Sequence, residues 1–121
     1  MKKILIVDDE EDFLSLLESR LSASGYQVIK ASNGKDAIQQ AKIWKPGLIL
    51  LDIMMPEMDG GEVRDLLKQD PDTATIPVVF LTALFTKIDE KTKGHVSGGN
   101  IYLSKSFEPE ELIRVIEANI L

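Results

Sequence analysis

The 121-residue sequence contains no cysteine and a single histidine, His95. The absence of cysteine excludes disulfides, thiolate metal sites and cysteine nucleophiles. One histidine also argues against a histidine metal site and a Ser/His/Asp triad. No apolar run approaches the roughly 20 residues that a membrane-spanning helix requires. Acids follow the short apolar start at once, so we infer no signal peptide and expect a cytoplasmic protein that does not associate with membranes.

The sequence also lacks an excess of positive charge. It has 14 lysines and arginines against 20 acidic residues, a formal net charge of −6. This balance argues against direct electrostatic binding of nucleic acid. Apolar residues make up 44% and charged residues 28% of the chain, which is typical of a globular protein. The length suits one core, so we predict a single domain over residues 1–121.

Short apolar runs that do not alternate with polar residues predict buried β-strands. A strand that is apolar on both sides must be covered on both sides, which is typical of parallel sheets flanked by helices. The runs cover residues 4–7, 48–51, 78–81 and 101–103, and residues 26–29 form a weaker fifth candidate.

Segments with helical spacing of apolar residues lie between these runs, although residues 85–97 show the pattern only weakly. The alternation predicts a flavodoxin-like, doubly wound α/β domain. Right-handed crossovers leave a few possible topologies, of which we expect the five-stranded parallel sheet of order 2-1-3-4-5 with helices on both faces. The predicted helical stripes are Phe13/Leu16/Leu17/Leu21, Ala37/Ile38/Ala41, Val63/Leu66/Leu67 and Leu112/Ile113/Ile116/Ile120.

Acidic residues directly follow two of the predicted strands: Asp8 and Asp9 the first, and Asp52 the third. Ligands of an open parallel sheet bind beyond the carboxyl ends of its strands, where the strand order reverses. The predicted order would bring these carboxylates together at that place. Such a cluster needs protons or a cation to neutralise it, and its oxygen ligands suit Mg²⁺. The alternative is that one of the acids merely caps the first helix.

The ends of the other two central runs add a hydroxyl and an ammonium group, from Thr82 and Lys105. Phosphoryl transfer to a metal-bound carboxylate needs groups of this kind around the equatorial oxygens, with Asp52 as the nucleophile. Taken singly, Thr82 would be a helix cap and Lys105 a surface lysine. The hypothesis therefore depends on all of them lying on one edge of the sheet.

Four segments together resemble the receiver domain of response regulators, the acceptors of two-component (phosphorelay) signal transduction. They are VDDE at residues 7–10, LDIMMPEMDG at 51–60, LTA at 81–83 and YLSK at 102–105. The likeness extends from Lys3 to the last helix, and the segment around Asp52 is highly specific.

The resemblance implies a metal-dependent phosphoacceptor site. Asp52 would accept the phosphoryl group and share a Mg²⁺ (or Mn²⁺) ion with Asp9, which would bind it directly, and with Asp8, mostly through water. Met54 would add its backbone carbonyl to the metal. The donor would be a phosphohistidine on a sensor histidine kinase or a phosphotransfer protein.

The same resemblance implies a two-state switch. Thr82 would rotate to hydrogen-bond a phosphoryl oxygen, Lys105 would pair with another, and Tyr102 would move inward. The domain would then control an unknown output partner, as a monomer or a phosphorylation-dependent dimer. Its chemistry would be self-phosphorylation and slow autodephosphorylation, so we do not expect an enzyme with other turnover.

The sequence departs from the family in the residue after Lys105. Ser106 stands where the family has proline joined through a cis peptide. A non-proline cis bond costs about 2.5–4 kcal/mol, so we predict a trans bond with Lys105 somewhat displaced. Met54 and Leu84 would flank the phosphoryl group with apolar side chains. We predict that they hinder the attacking water and give a long-lived phosphorylated state.

Three other functions fit less well. A phosphohydrolase of the haloacid dehalogenase type needs a second aspartate two residues after its nucleophile. That position holds Met54 after Asp52 and Glu10 after Asp8, so the pattern fits poorly. A flavodoxin needs a phosphate-binding loop after the first strand, where the acids would repel a phosphate. The main alternative is a degenerate receiver that acts only as a protein-interaction scaffold. The reason to consider it is that Ser106 replaces the usual proline.

The chain ends shortly after its last predicted helix. We therefore expect no DNA-binding, kinase or enzymatic output domain within it. The sequence is consistent both with a stand-alone regulator and with a piece of a larger protein.

Overall fold

The computed structural model of the protein describes residues 1–83, 95–97 and 100–121, of which 95–97 by their backbone alone. Its strands are β1 (Lys3–Val7), β2 (Gln27–Ala31), β3 (Leu48–Asp52), β4 (Val78–Thr82), β5 (His95–Ser97) and β6 (Asn100–Ser104). The described helices are α1 (Glu11–Ala23), α2 (Gly34–Trp44), α3 (Gly60–Gln69) and α4 (Pro109–Asn119). Each apolar run in the sequence therefore forms a strand, as predicted.

The described strands form one sheet with the order β2-β1-β3-β4-β6-β5. All neighbours from β2 to β6 are parallel, which confirms the predicted order 2-1-3-4-5 with β6 as the fifth strand. The additional strand β5, at the edge of the sheet, was not predicted. It pairs antiparallel with β6, with Ser97 opposite Asn100. A strand of three residues leaves no periodic signal in the sequence. The weak helix predicted over residues 85–97 lies outside the described residues except at 95–97, which are strand.

Alternate side chains of the central strands pack against opposite faces of the sheet. Ile4 and Ile6 of β1 belong to an apolar cluster with α1 and α4, whereas Leu5 and Val7 belong to one with α2 and α3. β3 alternates in the same way and is buried along its whole length. Each such side chain contributes roughly 1.5–3 kcal/mol by its burial. The two clusters confirm helices on both faces and hold the carboxyl ends of β1 and β3 side by side.

The predicted helical stripes are correct in place but not always in rotation. Leu16 and Leu66 were predicted to face the core but are 43% and 42% exposed, while Leu14 is buried. Neighbouring apolar positions fit a 3.6-residue stripe almost equally well, and only contact with the sheet selects between them. The Asn33 side chain caps α2, and Pro109 is the first residue of α4. No described helix is long and apolar enough to cross a membrane.

Candidate functional site

Three carboxylates meet where β1 and β3 end. The parallel register places Val7 beside Leu51, so Asp8 and Asp52 extend from neighbouring strands in the same direction. One oxygen from each of Asp8, Asp9 and Asp52 lies within 4.8 Å of the others. Asp8 is 0% and Asp52 2% exposed, whereas Asp9 is open to solvent. The predicted convergence of these acids is therefore confirmed.

The acidic cluster makes the charge of Asp52 costly. Burial, and next the charge of Asp8, raise the pKa of Asp52 from 3.8 to about 6. Lys105 and the backbone N–H of Met54, which lies 3.4 Å from Asp52 Oδ1, act in the opposite direction. The opposing effects are weaker, so the site favours a proton or an added cation.

The ammonium group of Lys105 lies among these acids. Its Nζ is 2.8 Å from Asp8 Oδ2, 3.4 Å from Asp52 Oδ1 and 3.2 Å from Glu10 Oε1. Burial alone would lower the pKa of Lys105, but hydrogen bonding to Asp8 and the charges of Asp8, Asp52 and Glu10 raise it. Lys105 therefore stays charged at neutral pH, and the predicted convergence of the β6 end with the acids is confirmed.

Sequence reasoning assigned no role to two neighbours of Lys105. Glu10 accepts a hydrogen bond from Lys105 across 95 positions of sequence, and the Phe13 ring centroid lies 5.0 Å from Nζ. Nothing local in the sequence signals either contact, because both depend on α1 packing beside the end of β6. A cation over an aromatic face is attracted by the ring.

The helix-cap alternative for the acids is not favoured. Glu10 occupies the N-cap position of α1, but no side-chain hydrogen bond caps that helix. The Asp8 carboxylate instead accepts the N–H of Glu10 at 2.9 Å, and this bond points its other oxygen toward Lys105. The buried Asp8 is thus oriented for the site rather than for the helix.

A close backbone approach holds the loop after Asp52. The N–H of Gly60 donates to the carbonyl of Ile53 at 2.9 Å. A Cβ atom on Gly60 would lie 2.5 Å from the Asp52 carbonyl oxygen and 2.9 Å from Ile53 Cα, so only glycine fits. Met54 in this loop is 68% exposed, and its backbone N–H donates to Asp52 Oδ1 at 3.4 Å.

Thr82 and Tyr102 occupy the neighbouring strands. Thr82 ends β4 with 2% exposure, and its carbonyl accepts the N–H of Lys105 at 2.9 Å. Tyr102 is half-buried in β6, and its ring stacks on Phe80 with centroids 5.4 Å apart. Thr82 therefore lies at the predicted edge, and Tyr102 lies further back along the sheet. The movement predicted for the two residues stays a prediction.

The loop that carries Lys105 has the predicted backbone form. Among the described residues no peptide bond is cis, so the bond between Lys105 and Ser106 is trans. Lys105 nevertheless reaches Asp8 and Asp52 directly. Leu84, the second residue predicted to flank the phosphoryl group, lies outside the described residues.

The donor set fits a hard divalent cation. The three clustered candidate ligands are carboxylate oxygens, from Asp8, Asp9 and Asp52. The Met54 carbonyl that the family resemblance implies would also be an oxygen ligand. Mg²⁺ prefers carboxylate and carbonyl oxygens and commonly keeps waters on its open side. The exposure of Asp9 beside two buried acids leaves such an open side.

Comparison with known proteins identifies the class. The sequence profile of the response regulator receiver domain matches residues 4–117. The alkaline phosphatase synthesis transcriptional regulatory protein PhoP of Bacillus subtilis (strain 168) is 43% identical over 117 residues, covering 97% of this chain and 48% of PhoP. The chain belongs to the response-regulator receiver family.

Solved structures agree with this assignment. The chemotaxis protein CheY4 of Vibrio cholerae has a TM-score of 0.84 at 27% identity, with 99% of both chains covered. The receiver domain of the sensor histidine kinase PA1611 of Pseudomonas aeruginosa PAO1 has a TM-score of 0.83 at 27% identity, covering 98% of this chain and 96% of that one. The PA1611 structure carries a magnesium ion coordinated in its active site cleft.

The chain spans about half the length of the curated relatives it matches. PhoP is named as a transcriptional regulatory protein. The expectation of no direct nucleic-acid binding is therefore not supported, because the negative charge that led to it describes this chain alone.

Proposed function

We propose that this chain accepts a phosphoryl group on Asp52 from the phosphohistidine of a sensor kinase or phosphotransfer protein. The observation that carries the proposal is the cluster of Asp8, Asp9 and Asp52 oxygens within 4.8 Å, with Lys105 Nζ 2.8 Å from Asp8. A structural ion pair would not require three carboxylates at the carboxyl edge of a parallel sheet. A cluster of this kind favours the binding of a cation, and that cation together with Lys105 could then offset the added negative charge of a phosphoryl group.

Magnesium, or manganese, would be held by Asp8, Asp9, Asp52 and the backbone carbonyl of Met54. When bound, the ion would supply positive charge beside the oxygens of the phosphoryl group. The hard donor set supports this assignment, and so does the magnesium ion in the cleft of the PA1611 receiver. Asp9 is the ligand that solvent reaches, so the ion would enter from its side.

The reaction would proceed by attack of an Asp52 carboxylate oxygen on phosphorus. The new P–O bond forms as the P–N bond to the donor imidazole breaks, and the imidazole leaves with the electron pair of that bond. Lys105 would pair with one phosphoryl oxygen, and the Thr82 hydroxyl would donate to another. Asp52 must be ionised to attack, and its pKa of about 6 leaves it mostly ionised at neutral pH.

The phosphorylated state would then switch the surface of the domain. Thr82 would turn toward the phosphoryl group, and the Tyr102 ring would move inward from its place beside Phe80. The added charge at Asp52 would be the local change, and it would shift the Tyr102 ring from one position to the other. We propose that this state controls an output partner or domain in the cytoplasm, through a monomer or a phosphorylation-dependent dimer, and that the chain has no further enzymatic turnover.

The direct test is incubation with Mg²⁺ and acetyl phosphate followed by intact mass measurement. The wild type should gain a single phosphoryl adduct, and Asp52→Asn should gain none. Omission of Mg²⁺ should abolish the adduct, and Asp72→Asn serves as an exposed carboxylate control. Absence of an adduct with acetyl phosphate and with a phosphohistidine donor would overturn the proposal in favour of the interaction scaffold.

Met54 should prolong the life of the phosphorylated state. Met54 stands two residues beyond Asp52 and is 68% exposed, and in the family pattern its apolar side chain would flank the phosphoryl group and shield it from water. We expect Met54→Asn to shorten the half-life of the isolated phosphoprotein, measured by the decay of the mass adduct. A wild-type half-life of seconds would contradict this expectation.

A further inference from the structure

Two serine hydroxyls hold the turn that carries Lys105. Ser104 Oγ accepts the N–H of Ser106 at 3.1 Å, and the two hydroxyl oxygens lie 2.8 Å apart. The main chain closes the same turn, because the N–H of Phe107 donates to the Ser104 carbonyl at 3.2 Å. Lys105 and Ser106 are thus the central residues of a β-turn, and the side chain of its first residue reinforces it.

The other side of Lys105 is tied to the sheet. Its N–H donates to the Thr82 carbonyl at 2.9 Å, so its backbone is held between β4 and the serine turn. The lysine side chain is long and flexible, and it reaches a defined place only from a fixed backbone. From this backbone Nζ lies 2.8 Å from Asp8 and 3.4 Å from Asp52.

The burial of Ser104 makes its hydroxyl consequential. Ser104 is 3% exposed, so water does not readily replace a partner that is lost there. Ser106 is exposed, and a hydroxyl at that position is not needed to fill the core. The contact between the two hydroxyls therefore links a buried strand end to an exposed turn residue, directly beside the ammonium-bearing chain of Lys105.

We propose that Ser104 and Ser106 are positioning residues that hold the Lys105 ammonium over Asp8 and Asp52. They do so in place of the proline that the receiver family has after this lysine. A proline ring restricts its own backbone dihedral and removes an N–H. Here the N–H of Ser106 is present and is used, with the hydroxyl pair, to restrict the same turn. This proposal rests on the proposed function of Asp52.

The first arm of the test is the rate of Asp52 phosphorylation by acetyl phosphate at saturating Mg²⁺. Loss of ordinary hydrogen bonds predicts a rate about 3- to 10-fold lower in Ser104→Ala. Ser106→Ala should lose less, since it keeps the N–H bond to Ser104. The loss in the double variant should be smaller than the sum of the two single losses, because the two hydroxyls contact each other. Ser106→Thr, which keeps the hydroxyl, and Ser22→Ala, an exposed helix serine, should keep the wild-type rate.

The second arm does not depend on phosphorylation. NMR relaxation of the Lys105 Cε group in the metal-free protein should show a more mobile side chain in Ser104→Ala than in wild type or Ser22→Ala. A merely structural role of the turn would lower stability without this local change. If the wild type takes no phosphoryl group, the proposed function fails and this arm alone decides the positioning. Additive rate losses in the double variant, or an unchanged Lys105 mobility, would overturn the proposal.

Discussion

The middle of β3 and its carboxyl end are equally buried, yet burial has opposite consequences in the two regions. Leu50 is 0% exposed in an apolar cluster, and Asp52, two residues later, is 2% exposed beside Asp8. Burial stabilises the leucine, whereas it raises the pKa of Asp52 and makes its charge unfavourable. The apolar core of the sheet therefore provides the stability that keeps the carboxylates close together although they repel one another.

Lys105 reduces this repulsion without removing it. Its ammonium contacts both buried acids, but the pKa of Asp52 still lies near 6. A fold that served stability alone would place an apolar residue at position 52, as the middle of β3 does. The departure from that rule at the strand end is what marks the site as functional.

The largest expected effect on stability is in the apolar middle of β3. Leu50→Ala leaves a cavity in the apolar cluster between the sheet and helices α1 and α4, so we expect the free energy of unfolding to fall by about 2–5 kcal/mol. Urea denaturation measures the change. Leu16→Ala is the matched control, because Leu16 is 43% exposed and should cost far less. Equal losses in the two variants would contradict the assigned core.

The next effect has the opposite sign. Because the pKa of Asp52 is raised on folding from 3.8 to about 6, its stabilising contribution is complete below pH 3.8 and is lost as the pH rises through 6. Asp52→Asn, which never ionises, should therefore raise the free energy of unfolding of the metal-free protein by about 2 kcal/mol at pH 7.

The pH and metal dependence sharpen this prediction. The stabilisation by Asp52→Asn should shrink as the pH falls below 6 and vanish below 3.8, when the wild-type carboxyl is neutral in both states. Millimolar Mg²⁺ should also reduce it, since the ion stabilises the ionised wild type. Asp72→Asn, at an exposed carboxyl away from the cluster, is the matched control variant. A destabilised Asp52→Asn at pH 7 would contradict the unfavourable charge.

A smaller effect is expected where the core meets the site. Gly60→Ala would place Cβ 2.5 Å from the Asp52 carbonyl oxygen, which forces the backbone apart. Such overpacking costs about 1–3 kcal/mol, and the better helix propensity of alanine offsets part of it, so we expect a net loss of about 1–2 kcal/mol. The rate of Asp52 phosphorylation should fall as well.

Gly61→Ala provides the control for this change. Its Cβ would lie 3.3 Å from the Asp59 side chain, which has room to adjust. Denaturation and the mass adduct, measured on both variants, separate a local backbone clash from a general effect of alanine in α3. If Gly61→Ala lowered phosphorylation as much as Gly60→Ala, the clash with Asp52 would not be the cause.

The smallest effect lies away from both regions. Asn33 caps α2 by accepting the N–H of Asp36 at 2.8 Å, and Asn33→Ala should cost about 1 kcal/mol of unfolding free energy. Phosphorylation of Asp52 should be unchanged, because the cap does not touch the site. Ser32→Ala, one residue earlier, should be close to neutral in thermal denaturation. A lowered phosphorylation rate in Asn33→Ala would show that α2 contributes to the site.

Much of the site could be predicted because its residues directly follow apolar strands. Asp8, Asp52, Thr82 and Lys105 each stand at the end of such a run, and parallel strands bring their carboxyl ends to one edge. The contact of Glu10 with Lys105 could not be predicted in this way. It depends on the angle at which α1 leaves β1, and no local pattern of residues reports that angle.

The alternation of strands and helices and the kinds of chemical group at the strand ends were predictable from the amino-acid sequence, and the strand order was restricted to a few choices. These follow from hydrophobic periodicity and strand handedness, which act over short stretches of chain. The folded structure was needed to establish that Leu14 rather than Leu16 is buried, that β5 pairs antiparallel at the edge, and that Glu10 contacts Lys105. Those outcomes, like the raised pKa of Asp52, depend on burial and on charges distant in sequence, and such distances exist only once the chain has folded.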